Sequence, residues 1–155
     1  MHPNFQMHID KLDAQVDVLV AARAARAGSL PRGMPDAGVY LFSEGGQHLY
    51  VGRSNRIRQR IGNHTRPSSG HNQATFAFRL ARQQTGKIDA VYSSSGSRQN
   101  LLDDAEFRAA FDEAKARVRA MDIRWIEEED PIQQTLLEVY AAIRLGTSHN
   151  DFDTH

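Results

Sequence analysis

From residue 5 to residue 27, Phe5, Ile9, Leu12, Val16, Leu19 and Val20 recur at steps of three and four, which predicts an N-terminal helix with one apolar face. Gly28, Pro31, Gly33 and Pro35 break that pattern and predict a linker. The period then shortens. Gly38 to Phe42 and His48 to Val51 have the composition of two short strands, and the Gly45-Gly46 pair between them signals a hairpin whose loop is longer than the tightest two-residue turn. Ser54 is placed to cap a helix reaching about His64, with Ile57 and Ile61 as its inward pair. Pro67 to Gly70 predicts a loop, residues 73–84 a helix, and Ser93 to Ser97 a second loop. Asp103 opens a long amphipathic helix to about Arg119, with Phe107, Phe111, Ala114 and Val118 on one face. Met121 to Ile126 alternates as a strand does. Asp130-Pro131, a cap followed by proline at the first helical position, starts a last helix that ends near Gly146. Its inward stripe reads Ile132, Leu136, Val139 and Ile143. The order predicts an α+β domain around a small central sheet of about three strands, flanked by helices and preceded by the N-terminal helix.

Composition narrows the class. A chain of 155 residues, 40% hydrophobic and 25% charged, has room for one compact domain and little else. It has no cysteine, which removes disulfides, iron–sulfur clusters, thiolate zinc sites and cysteine nucleophiles together. Val16 to Ala22 is apolar apart from Asp17, but Arg23 and Arg26 follow it, so it predicts neither a signal peptide nor a membrane span. The expectation is a soluble, cytoplasmic protein with no membrane partner.

The net charge of zero hides a division. Residues 1–43 are balanced, residues 44–98 hold nine basic side chains against Glu44 and Asp89, and residues 99–155 hold six basic groups against 13 acidic ones. Five arginines fall between Arg53 and Arg66. Arginine suits bidentate phosphate contacts, so the middle of the chain reads either as a phosphate-facing surface or as the counterpart of the acidic end within one fold.

Gly38-Val39-Tyr40, nine residues, then Tyr50-Val51-Gly52 resembles the paired signature of the GIY-YIG nuclease superfamily. The resemblance continues downstream. That family carries an arginine and a histidine one turn apart on the helix after the second strand, as Arg60 and His64 stand here. It carries a glutamate on a later helix and an asparagine about 12 residues beyond, as Glu138 and Asn150 stand here. The resemblance covers residues 38–66 well and 121–150 moderately. It implies a GIY-YIG-type domain over 36–155, with residues 1–35 as N-terminal helix and linker and 67–120 as an inserted helical segment. It also implies Tyr40 at the attacking water, as general base or as a relay to His64, and Tyr50 beside the phosphate. Asn150 would brace the site by hydrogen bonds.

The residue types support phosphodiester chemistry on their own terms. Cleavage needs an activated water, neutralisation of phosphate charge, a proton path and usually a hard divalent cation. Arg60 and His64 are i and i+4, so they share a helix face. Arg60 has no carboxylate among its helical neighbours, which leaves it for a phosphate oxygen; an imidazole of pKa near ~6.5 suits proton transfer at neutral pH. Glu138 has Gln134, Thr135, Ala141 and Ala142 around it on the helix, so no intrahelical ion pair competes for it. A lone carboxylate beside small residues suits Mg2+ (or Mn2+) held mostly by water and phosphate oxygens. Gly52, Arg53, Arg56, Arg58 and Arg66 are the further candidates for contact with DNA. His64, His71 and His149 lack the spacing of a zinc site, and Ser93 to Ser97 lacks a nucleophile-elbow frame. Three functions fit this pattern: a metal-dependent DNA endonuclease, including a restriction-type enzyme; an inactive nucleic-acid-binding module of the same fold; and a partner-binding domain whose charged halves neutralise each other.

Overall fold

A computed structural model of the chain describes residues 1–86, 102 and 104–153. It divides into two compact units, one of residues 1–59 and 121–155, the other of residues 60–120. The predicted loop at Ser93 to Ser97 and the predicted helix start at Asp103 lie outside the described residues.

The first unit is an α+β layer built on three antiparallel strands: β1 (Gly38–Glu44), β2 (Gln47–Ser54) and β3 (Asp122–Glu127), in the order β2-β1-β3. Helix α1 (Pro3–Ala21) and the C-terminal helix (Pro131–Leu145, here α5) belong to the same unit. The strands are longer than predicted, because Glu44 pairs with Gln47 across a loop of only Gly45 and Gly46. The expectation of a longer loop is therefore corrected. Both glycines have positive φ (59° and 79°), which a primed two-residue turn requires and which only glycine adopts without strain.

Alternation in the central strand sorts its side chains. Val39 and Leu41 face Leu12, Val16 and Leu19 of α1 and Leu137 and Ala141 of α5, with Val51 from β2 completing the cluster. Helix α1 stops at Ala21, short of the expected residue 27. Although Ala22 to Arg26 are good helix formers, Ala25 instead makes a two-way backbone bridge with Ile123, and Arg124 Nε donates to the Ala22 carbonyl. Tertiary pairing overrides local propensity there.

Helix α5 has the ends its sequence predicts: the Asp130 carboxylate caps Ile132 and Gln133, and Gly146 closes it in the left-handed conformation. Its inward face is not the predicted one. Ile132, Val139 and Ile143 are exposed at 57, 37 and 72%, and the buried residues are Gln133, Gln134, Leu137, Ala141 and Ala142. The two glutamines explain the rotation. Gln133 bonds His8 and Gln15 of α1, and Gln134 donates to Asn55 and to the Glu128 carbonyl. Satisfied amides can be buried, so an apolar stripe need not be.

Helix α2 (Ile57–Thr65) begins in the first unit and ends in the second. Ser54 ends β2 rather than capping the helix directly; its hydroxyl accepts from the Arg56 amide. Ile57 and Ile61 are fully buried, as predicted. The second unit packs α3 (Thr75–Thr85) on α4 (Ala105–Arg119). Phe78 meets Phe107 and Phe111 edge-on at 5.1 and 5.6 Å, and Asp104 caps α4. The predicted face of Phe107, Phe111, Ala114 and Val118 is buried. Among the described residues, no helix is long and apolar enough to cross a membrane.

Candidate active site

The hairpin carries two glycines whose missing side chains are occupied by neighbours. A Cβ on Gly38 would stand 3.0 Å from the Ile126 carbonyl carbon and closer still to its oxygen, so only glycine lets β1 pair with β3 there. A Cβ on Gly52 would stand 2.7 Å from Tyr40 Cε2 and closer still to Cζ and the hydroxyl. Tyr40 pairs with Gly52 across the strands, and its ring lies over the space glycine leaves. Tyr40 is 1% exposed. Tyr50 pairs with Phe42, their ring centroids 6.4 Å apart, and Phe42 meets Tyr40 edge-on at 5.8 Å. Directly paired residues share a face, so Tyr40, Tyr50 and Gly52 lie on one side of the hairpin. For Gly52, read from sequence as a substrate contact, the structure supplies a packing reason.

One residue further along β2 the side chain turns to the other face. There Arg53 Nε donates to Glu138 Oε2 at 3.1 Å. Glu138 thus has an ion partner that its helical neighbours do not supply, and Ala141 and Ala142, expected to leave space beside it, are packed into the core. The carboxylate keeps 22% exposure and the arginine 42%. Burial pushes the Glu138 carboxyl above the usual carboxylate range, against the opposing pull of Arg53. In the sequence Arg53 presents itself only as a phosphate contact. The period of two was the signal for its other role, since it sets Val51 and Arg53 on the face opposite Tyr50 and Gly52.

Asn150 holds the edge strand. Its Oδ1 accepts from the Val51 amide at 2.9 Å and its Nδ2 donates to the Val51 carbonyl at 2.7 Å. The His149 amide donates to the Leu49 carbonyl, and Thr147 Oγ1 donates to Asn150 Oδ1. The polar tail after α5 therefore lies along the outer edge of β2, bonded to the middle residue of Tyr50-Val51-Gly52.

In the second unit, Arg60 is already engaged. Its two terminal amines donate to the Gln73 carbonyl at 3.0 Å and to Thr75 Oγ1 at 3.3 Å, which corrects the expectation of an arginine without an internal partner. The loop after α2 folds back far enough for its carbonyl to reach the guanidinium. His64 is wholly buried, and burial together with the Arg60 charge lowers its pKa from 6.5 to about 3. That replaces the expected unperturbed imidazole with one that stays neutral at physiological pH. Arg58 donates to the Pro31 carbonyl and Arg66 to Asn63, while Arg56 is exposed.

Among the described residues, no three His, Asp or Glu side chains cluster as a metal cage. A carboxylate that is anchored yet partly open fits a magnesium ion completed by water and phosphate oxygens, and Glu138 is such a group.

Residues 36–107 match the family model described as the GIY-YIG catalytic domain. The matched span includes Tyr40, Tyr50, Gly52, Arg53, Arg60 and His64, whereas Glu138 and Asn150 lie beyond its end. Neither a curated protein nor a solved structure matches the chain.

Proposed function

We propose, from the match of residues 36–107 to the GIY-YIG catalytic domain, that the chain is a divalent-metal-dependent endonuclease that hydrolyses phosphodiester bonds in DNA, acting in the cytoplasm. The observation that carries this reading is the hairpin of the matched segment, where Tyr40 fills the space that Gly52 leaves beside Tyr50-Val51. In this reading the domain spans 36–155, with 67–120 as its inserted helical segment.

Hydrolysis forms a bond from a water oxygen to phosphorus and breaks the bond to the leaving oxygen. Tyr40, as a phenolate that has already released its own proton to solvent, orients the water and takes one proton from it. The leaving oxygen takes up a proton from solvent, and Tyr50 hydrogen-bonds the phosphate. Arg60 offers the phosphate the guanidinium donors that Gln73 and Thr75 do not use. His64, neutral, serves as a fixed hydrogen-bonding group beside Arg60 rather than as a proton shuttle. Glu138 would hold Mg2+ or Mn2+, which when bound supplies charge neutralisation at the phosphate. Asn150 keeps the tyrosine-bearing edge strand in place through Val51. Arg53, Arg56, Arg58 and Arg66 supply the phosphate contacts that set affinity.

Digestion of plasmid, single-stranded DNA, branched DNA and RNA, with Mg2+ or Mn2+ and with excess chelator, tests the proposal. Metal-dependent cutting of DNA that Glu138→Ala abolishes while DNA affinity persists is the expected result. Full activity in chelator would remove the metal from the mechanism, and DNA binding without cleavage would leave the inactive binding module. Discrete plasmid bands would identify a restriction-type enzyme.

A further inference from the structure

We propose that Arg53 is a latch on Glu138 that couples metal and phosphate binding, an inference that rests on the reading of Glu138 as the metal carboxylate. In the protein without substrate the guanidinium occupies the carboxylate. When a DNA phosphate draws it away, Glu138 takes a divalent cation at full affinity.

The geometry of the pair fits an exchangeable contact. Arg53 touches Glu138 through Nε alone, at 3.1 Å, so the two terminal amines that give arginine its bidentate grip are not spent on the carboxylate. A phosphate that accepts from the fork offers Arg53 more than the single bond it gives up. The two partners also differ in freedom. Glu138 sits on α5, whose neighbouring Leu137 and Ala141 are packed in the core, while Arg53 is a long side chain 42% exposed near the end of β2. Arg53 can swing and Glu138 stays.

The electrostatics set the direction of the coupling. A guanidinium within ion-pair distance repels a divalent cation approaching the same oxygens, and no cluster of further carboxylates among the described residues compensates. Removing that positive charge favours the metal. By linkage, whatever phosphate binding does for metal affinity, metal binding does equally for phosphate affinity. Such a latch lets the site fill with metal chiefly when DNA is present.

The test titrates Mn2+ by electron paramagnetic resonance into the full-length wild type, Arg53→Gln, Glu138→Gln and the double variant, without DNA. Arg53→Gln should bind Mn2+ about threefold to tenfold more tightly than wild type, the range expected for losing a partly exposed charge pair. Glu138→Gln should remove both the binding and the gain. Equal Mn2+ affinity in wild type and Arg53→Gln, with Glu138→Gln still defective, would overturn the latch alone. Binding indifferent to Glu138→Gln, or absent throughout, would overturn the metal assignment and the latch with it. Coupling is read separately from duplex binding with Ca2+ as the probe cation. Ca2+ should tighten duplex binding by a larger factor in wild type than in Arg53→Gln, and equal factors would overturn the coupling.

Discussion

Tyr40 and Gly52 form one unit of packing, and their separate effects on stability should reveal it. Adding a methyl at Gly52 drives Cβ into the Tyr40 ring, which has no other place to go because it is 1% exposed. Overpacking of this kind costs about 1–3 kcal/mol. Gly52→Ala should therefore lower the unfolding free energy measured in urea by that amount, and in a Tyr40→Ala background the same change should cost little, a coupling a double-mutant cycle measures. His64 makes a second prediction, read from pH. Its folded pKa, about 3, lies below the unfolded value of ~6.5. The unfolded chain therefore binds the extra proton as pH falls. The stability this neutral histidine contributes is present above pH 6.5 and is lost between there and about pH 3, with a slope of up to about 1.4 kcal/mol per pH unit. Urea unfolding from pH 7 to pH 4 should show wild type losing stability faster than His64→Gln; parallel curves would mean His64 titrates normally. The two tripeptides of the hairpin were legible because strand pairing is local. The burial of His64 was legible only in part: it follows Ile57 and Ile61 at i+7 and i+3 on the inward face of α2, but an ionisable ring at that position does not announce that it is fully enclosed.

Helices in this chain were easier to locate than to orient. Asp130-Pro131 and Gly146 mark α5 at both ends, and the phenylalanines of α4 face inward as their spacing requires. Rotation failed for α5 because hydrogen bonds from Gln133 and Gln134 decide it, and partners 79 to 125 residues away leave no trace in a local pattern. The same limit hid Lys115. It looks like one more surface charge on α4, yet it is 4% exposed, and its ammonium donates to the Pro67 and Ser69 carbonyls at 2.6 and 3.0 Å. It also pairs with Asp112 and sits 4.4 Å from the Phe111 ring centroid. The carbonyls it holds belong to the loop between α2 and α3, the loop whose Gln73 carbonyl receives Arg60. Lys115→Met keeps the apolar stem but strips both carbonyls of their donor, a loss of about 1–3 kcal/mol. Thermal melting should record that loss. Amide exchange should place it at residues 66–74, whereas a uniform rise in exchange over the second unit would mean that the loop is not what Lys115 holds.

For the whole molecule, the division of charge along the chain turned out to be a poorer guide than the division of its core. The basic middle and acidic end do meet at Arg53 and Glu138, but further ion pairs among the described residues join Arg144 to Asp13 and Asp17, and Arg26 to Asp122, each linking the N-terminal segment to the acidic third of the sequence. The N-terminal helix is therefore tied in by charge as well as by packing. Leu12, Val16 and Leu19 lie in the same cluster as Val39, Leu41, Val51 and Leu137, and Tyr140 donates a hydrogen bond to Asp13. In the sequence, residues 1–35 stand apart as helix and linker because glycine and proline punctuate the stretch after residue 27, and punctuation carries no information about what the helix covers. The consequence can be measured. Burial of each of those three side chains contributes about 1.5–3 kcal/mol, a sum comparable with the net stability of a small domain, about 5–15 kcal/mol. A chain beginning at residue 36 should therefore lose cooperative unfolding and bind a hydrophobic dye. A milder variant, Val16→Ala, should remain folded but unfold about 1–3 kcal/mol sooner in urea. If the truncated chain instead melts cooperatively near the wild-type temperature, α1 is an accessory to the sheet and its apolar face contributes little to the core.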